Sequence, residues 1–347
     1  MATDTADAGP LEAASVRRAR LAAALLGLTG VLVVTCMASL ALGARDVPIG
    51  QVLDAIFWPD LTDNDHRAVV NERLPRTVLG LLGGAALGLA GVLLQGLTRN
   101  PIADPGLLGI NAGASLAVVA GIAYLGISGP DQYVWFAFVG AAVAALLVYG
   151  VSSVGRDGAT PVRLALVGAA LTATATSLIT MVLLTDRTAL GLYRFWSVGS
   201  LVNRDVELAA TIGPFVAVGA VLALASARFL DAMTLGEDLA RGLGASVTRG
   251  RLVVLAAVVL LCGGATAMVG PIAFVGLMVP HVARRLVGQD HRWVLPYAAV
   301  VGAVLLVAAD VIGRLLVEDE LEAGLVVAVI GAPVLIAIVR GSKAVSM

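Results

Sequence analysis

Run after run of about twenty apolar residues, separated by short polar joints, governs what this 347-residue chain can become. A bilayer hydrocarbon core is about 30 Å thick, and roughly twenty residues of helix are needed to cross it. With 59% hydrophobic and only 14% charged residues, the chain lacks the charge to cover a soluble domain, which carries about 25%. A soluble enzyme is excluded. The net charge of −1 leaves no basic surface for nucleic acid.

The pattern predicts an all-α polytopic membrane protein of about ten spans. These are Leu21–Leu42, Thr77–Leu97, Leu107–Leu125, Val134–Val154, Val162–Leu184, Val206–Ala227, Leu252–Val269, Ile272–Val287, Val294–Val317 and Gly324–Val339. Gly270-Pro271 is the turn signal that divides the seventh from the eighth. An even number puts both termini on one side. Most of the 23 Lys and Arg then fall on the N-terminal side, and most of the 24 Asp and Glu on the other. The positive-inside rule places both ends in the cytoplasm. Residues 1–20 are polar and expected to be disordered; residues 21–341 form the membrane domain, with an outer loop at 45–73 and an inner one at 228–251. The first apolar run is too long for a signal peptide and reads as a retained span.

Little in the chain can do chemistry. His66, His281 and His291 share no ligand spacing, Cys36 and Cys262 stand singly in apolar runs, and no metal site is expected. No phosphate-binding GxxxxGK[ST] loop occurs, so the chain cannot hydrolyse ATP alone. Intramembrane charge is nearly absent, which argues against an ion-coupled relay. A passive pathway driven by something else remains.

Helix breakers at membrane depth mark where such a path would lie. Gly83, Gly84, Gly88 and Gly91 have the spacing of close helix packing. After Gln95 the sequence TRNPIADPGLLGINAGAS interrupts the helix at Pro101 and Pro105, where Asn100 and Asp104 can bond the freed backbone. A second region, GPIAFVGLMVPHVARR, contains Pro280 and His281 in the other half of the chain. Broken segments at corresponding places in oppositely oriented halves suggest an inverted repeat around a central path.

Two surfaces read as docking sites. At the outer side, Arg73 and Arg76 flank Pro75, which suits the first turn of a helix. Arginines oppose the dipole there, so they serve lipid headgroups or an acidic partner. Arg314 joins them, with Asp310 four residues earlier in helical register. At the inner side, residues 228–251 read as two short helices: Thr234 and Glu237 have capping-box spacing, Leu235, Leu239 and Leu243 form a stripe, Gly242 and Gly244 end the helix, and Ser246 can cap the next. The stripe lies flat on the membrane or docks on a partner.

These residues, in order, resemble the permease subunits of the FecCD/BtuC type, from ABC importers for iron–siderophore complexes, haem and vitamin B12. The resemblance rests on RLPR from Arg73, LAGVLLQGLTRNPIADPGLLGINAGA from Leu89, FWSVGSL from Phe195, GPIAFVGLMVPHVARRLVGQDHR from Gly270, ADVIGR from Ala309 and IGAPVLI from Ile330. It is strongest to the ferric enterobactin, or catecholate, branch. It implies a BtuC-like type II importer permease in the cytoplasmic membrane, paired with a second permease chain (a heterodimer rather than a homodimer), two cytoplasmic ATPase subunits that use ATP and Mg, and an extracytoplasmic binding protein. This chain itself would bind no cofactor and catalyse nothing. By the resemblance, Arg73, Arg76 and Arg314 meet acidic residues of the binding protein. Leu235, Gly236, Glu237, Leu239, Arg241, Leu243 and Gly244 couple to the ATPase, and Gln95, Asn100, Pro101, Asp104, Pro105, Pro280 and His281 mark the path or its breaks. Cobalamin and haem are the alternative cargoes, and an ion-coupled secondary transporter is the alternative of another class. One departure stands out: many relatives have Glu-Leu-Pro-Val-Gly before the last span, whereas this chain has Glu320-Leu321-Glu322-Ala323-Gly324.

Overall fold

The computed structural model describes residues 10–43, 45–154, 160–202, 204–244, 246–317 and 320–343, and among them there is no strand. Helix α1 spans Pro10–Ala41, α2 Ile49–Phe57 and α3 Asn64–Thr98. A 3-10 turn at Pro105–Leu108 leads into α4 (Ile110–Leu125), α5 (Pro130–Ser152), α6 (Pro161–Thr185) and α7 (Arg187–Ser197). The second half continues with α8 (Val206–Ala225), α9 (Ala227–Thr234), α10 (Glu237–Gly242) and α11 (Val247–Val269). Last come α12 (Val275–Val287), α13 (His291–Leu316) and α14 (Ala323–Lys343).

Among the described residues, seven helices are long and apolar enough to cross a membrane: α1, α3, α5, α6, α8, α11 and α13. Helix α4 and the Ala323–Ala337 part of α14 are shorter apolar helices. The expected span at Ile272–Val287 takes a different form. Gly270, at φ 79°, ends α11, residues 271–273 are irregular, and α12 begins only at Val275. Its 13 residues reach about 20 Å, short of a bilayer. Irregular backbone of this kind persists at membrane depth only when packed inside protein, and Ile272 and Val275 are buried.

Two further expectations are corrected. The segment up to Arg20 was expected to be disordered, yet α1 starts at Pro10; residues 1–9 lie outside the described residues. Leu, Glu, Ala and Arg fill that stretch, and adding good helix formers to an existing helix is easy because nucleation is already done. Pro75 does fall in the first turn of an α-helical stretch that begins at Leu74, but the chain is already helical from Asn64. Pro75 therefore lies inside α3, directly after a wide π-type turn at Ala68–Arg73 that accommodates the missing proline N–H. Arg73 and Arg76 therefore sit inside a helix rather than at its N-terminus, and the expected conflict with the dipole does not arise.

Helix α3 is the axis of the bundle: 78% of its apolar window is buried, against none for α1 at the rim. Glycines make that possible. A side chain on Gly84 would collide with the backbone of Gly302 in α13, one on Gly88 with the backbone of Ala298, and one on Gly91 with the backbone of Gly276 in α12. The small-residue spacing read from the sequence is thus a seam of backbone against backbone, the close approach that favours helix association in lipid. Thr98 ends α3, with Arg99 in the left-handed region at φ 50° as its cap.

This seam has a measurable consequence. Gly84→Val should destabilise the purified protein by about 3 kcal/mol, read as a loss of thermal stability in detergent. Gly27→Ala, on the open face of α1 where an added Cβ meets nothing, should not lower it, since alanine suits a helix interior better than glycine.

Candidate functional site

At one end of α3, three guanidiniums turn inward. Arg73 is 6% exposed, Arg76 7% and Arg314 5%. Helix α1 ends beside them, and the last carbonyls of a helix lack intrahelical donors. Arg73 supplies some: its Nη1 donates to the carbonyls of Leu40 (2.9 Å) and Ala41 (2.8 Å), and its Nη2 to that of Arg45. Arg314 Nη1 donates to the carbonyls of Ser39 (2.9 Å) and Leu42 (3.1 Å), and its Nη2 to the Ser39 hydroxyl (2.8 Å). Asp310 pairs with Arg314 at 3.0 Å in the expected i,i+4 register. It also pairs with Arg76 at 3.1 Å, and Arg76 reaches Glu320 at 2.9 Å.

The three arginines that the sequence offers to an outside partner thus all have internal partners. Arg76 also borders a cavity of about 450 Å3, which it shares with Glu72, Arg204, Asp205 and Glu320. Glu320, in the segment that departs from the relatives' pattern, is held at φ 52°. Arg204 was not singled out from the sequence; it lies outside any helix, where periodicity gives no signal.

At the opposite end of α3 the two broken regions meet. Pro280 lies inside α12, and its missing N–H leaves the Gly276 carbonyl without a helical donor. Gln95 of α3 comes to it: Nε2 is 3.5 Å from the Gly276 carbonyl and 3.3 Å from that of Leu277. Gln95 Oε1 accepts from Arg284 at 2.5 Å, and His281 Nδ1 bonds the Leu277 carbonyl at 2.9 Å. On the other strand of the break, Asn100 Oδ1 accepts from the Ile102 N–H (3.1 Å) and Asp104 Oδ1 from the Gly106 N–H (2.8 Å). Both do the backbone bonding expected of them, and Pro105 opens the 3-10 turn that packs on Gly276. Gln95, Asn100, Pro101 and His281 come together around a cavity of about 430 Å3, with Arg99, Arg284 and Arg285 as lining residues that the sequence did not single out. Asp104, Pro105 and Pro280 are not among its lining residues. Among the described residues no three His, Cys, Asp or Glu side chains gather as a metal site would require.

Residues 228–251 lie at this same end, since Thr234 also lines the cavity. Two short helices form there as expected, but the capping box does not. Thr234 belongs to the preceding helix, its hydroxyl donating to the Asp231 carbonyl (2.6 Å), so Gly236 takes the N-cap position at φ 104° with no side-chain bond. Glycine alone tolerates that conformation. Glu237 is free of capping and accepts instead from Arg241 (2.7 Å) and Arg251 (2.8 Å). Ser246 precedes α11 without a side-chain cap. Met233, Ala240 and Val247 pack under the corner, while Leu235, Leu239 and Leu243 are 58%, 62% and 70% exposed. Gly244 closes the stripe at φ 85°. The loop is a held platform with an open apolar face.

The ion cluster around Asp310 should be the more fragile element. Asp310→Asn leaves Arg76 and Arg314 without their shared carboxylate in a buried site, a loss of about 3 kcal/mol. A thermal unfolding scan of the variant should show it, whereas Asp238→Asn on the exposed face of α10 should unfold with the parent.

Comparison with known proteins agrees with this geometry. Residues 31–341 match the FecCD transport family. The chain is 47% identical to the ferric enterobactin transport system permease protein FepD of Escherichia coli (strain K12), over 92% of this chain and 95% of that one. It is 34% identical to the hemin transport system permease protein HmuU of Yersinia pestis, over 85% and 90%. A solved inward-facing metal-chelate type ABC transporter has the same fold at a TM-score of 0.80 and 26% identity, over 92% of this chain and 99% of that one. Seven apolar spans around a glycine seam, two facing helix breaks and a match along most of the sequence lead to one conclusion: this chain is a multi-pass membrane protein that belongs to the FecCD transport family.

Proposed function

We propose that the chain is the permease subunit of an ABC importer that moves a ferric siderophore, of catecholate type, inward across the cytoplasmic membrane. One observation carries the choice of cargo: identity to the ferric enterobactin permease is 47%, against 34% for the hemin permease, over nearly the same length. The platform at Leu235–Gly244 is the surface on which an ATPase docks, because an apolar stripe this exposed needs a cover. Two such ATPases hydrolyse ATP with Mg; this chain has no phosphate loop and binds no cofactor. A second, related permease chain pairs with it, and both termini lie in the cytoplasm.

An extracytoplasmic binding protein delivers the cargo at the Arg73 end. There the burial of Arg73 and Arg314 points to a supporting role for them, and Arg76, which borders the open cavity, is the residue that would meet an acidic side chain. Gln95, Asn100, Pro101 and His281 lie on the inner side, where a path opening toward the cytoplasm would need backbone that can rearrange.

Cells lacking the gene should lose uptake of radiolabelled ferric enterobactin and regain it when the gene is restored, while cobalamin and haem uptake stay constant. Haem or cobalamin uptake that follows the gene would replace the cargo and keep the family. Leu239→Asp should leave the permease in the membrane and lower recovery of the ATPase on purification at least about tenfold; full recovery would remove the loop from the coupling role.

A further inference from the structure

The cavity beside the helix breaks has an electrostatic property that the breaks do not explain. Three guanidiniums line it, those of Arg99, Arg284 and Arg285, and no carboxylate does. Among the described residues none of the three is ion-paired. Arg284 is half-buried and reaches only a neutral acceptor, Gln95 Oε1. The acidic groups on neighbouring elements are engaged elsewhere. Asp231 accepts from the His291 N–H (3.0 Å) and contacts its ring Nδ1 (2.7 Å), and Asp290 caps α13 by accepting from the Arg292 N–H (3.0 Å). His291 also lines the cavity; it is 2% exposed, and its Nε2 has no partner.

Three like charges around one cavity repel, and they do so more strongly where protein and lipid lower the dielectric. An anion relieves this. The planar fork of a guanidinium matches the oxygens of a phosphate group two at a time. Asn100 and Gln289 add neutral amide donors at the rim. The outer face of α12 next to Arg285 is apolar, with Val282 37% and Leu286 56% exposed, so a phosphate in the cavity can carry acyl chains along that face. Basic pockets between membrane helices hold anionic headgroups in this manner.

We propose that this cavity binds a phosphate-type oxyanion, held by Arg99, Arg284 and Arg285. The group is supplied by the headgroup of an anionic phospholipid or by free phosphate. The site needs neither the siderophore cargo nor the binding protein, so it stands whether or not the cargo assignment does.

The test uses the assembled complex, purified in neutral detergent and stripped of lipid. Thermal unfolding is followed while inorganic phosphate, phosphatidylglycerol or phosphatidylcholine is added. A saturable rise in Tm of a few degrees with phosphatidylglycerol, absent with phosphatidylcholine, is expected. A matching rise with inorganic phosphate shows that the anion itself is recognised; a rise with phosphatidylglycerol alone assigns the headgroup, and a rise with phosphate alone assigns the soluble ion. R284Q should abolish the effect. Because Arg284 is braced by Gln95, R99Q/R285Q serves as a second variant that changes exposed groups only, and it should weaken the apparent affinity at least about tenfold. No rise with either anion, or an equal rise in R99Q/R285Q, overturns the proposal and leaves the cavity to an acidic side chain of a partner subunit.

Discussion

The contact of α3 with α13 and α12, backbone against backbone through Gly84, Gly302, Gly88, Gly91 and Gly276, is the constraint on which the other features depend. In lipid there is little hydrophobic drive to bring helices together, so close packing of small residues must do it. That approach buries most of α3, and with it Arg73, Arg76 and Gln95. Each then needs a partner from another helix. Arg73 and Arg76 find theirs at one end, Gln95 at the other, and the two polar clusters mark the two ends of the seam.

Burial also changes what those groups can do. An arginine at a loop is a docking residue; the same arginine turned against the end of α1 is a helix cap. Arg73 and Arg314 hold α1 in place through its last carbonyls, and Asp310 ties Arg314 to Arg76. A partner that engages Arg76 would therefore act on a cluster already joined to α1, α3, α13 and the segment before α14. At the other end, the Gln95 bridge links α3 to the Gly276 carbonyl freed by Pro280 and to its neighbour at Leu277. Both ends have the character of joints, with polar bonds that can be exchanged instead of packed apolar surface.

What was legible in the sequence is what depends on local order. Apolar run length gave the long spans, Gly270-Pro271 gave the turn after α11, and i,i+4 spacing gave the Asp310–Arg314 pair and the Leu235, Leu239, Leu243 stripe. Asn100 and Asp104 were legible because each bonds a backbone group two residues on. What was not legible depends on partners far along the chain. Nothing near Arg73 says that the end of α1 will need its guanidinium, and nothing near Gln95 says that a proline 185 residues later will free a carbonyl for it. The shortness of α12 was hidden because Ile272, Ala273 and Phe274 are as apolar as the helix they precede. The capping box failed because Thr234 was claimed by the helix before it.

The sequence holds no phosphate loop, which makes the source of energy the central issue. The direct measurement reconstitutes the chain with its second permease and ATPase subunits in vesicles that carry no ion gradient, and follows entry of a labelled ferric catecholate presented with its binding protein. Accumulation that requires ATP on the ATPase side, and is indifferent to proton and sodium ionophores, is the result expected of an importer permease. Accumulation without ATP, driven by an imposed proton or sodium gradient, would contradict it and make the chain a secondary transporter.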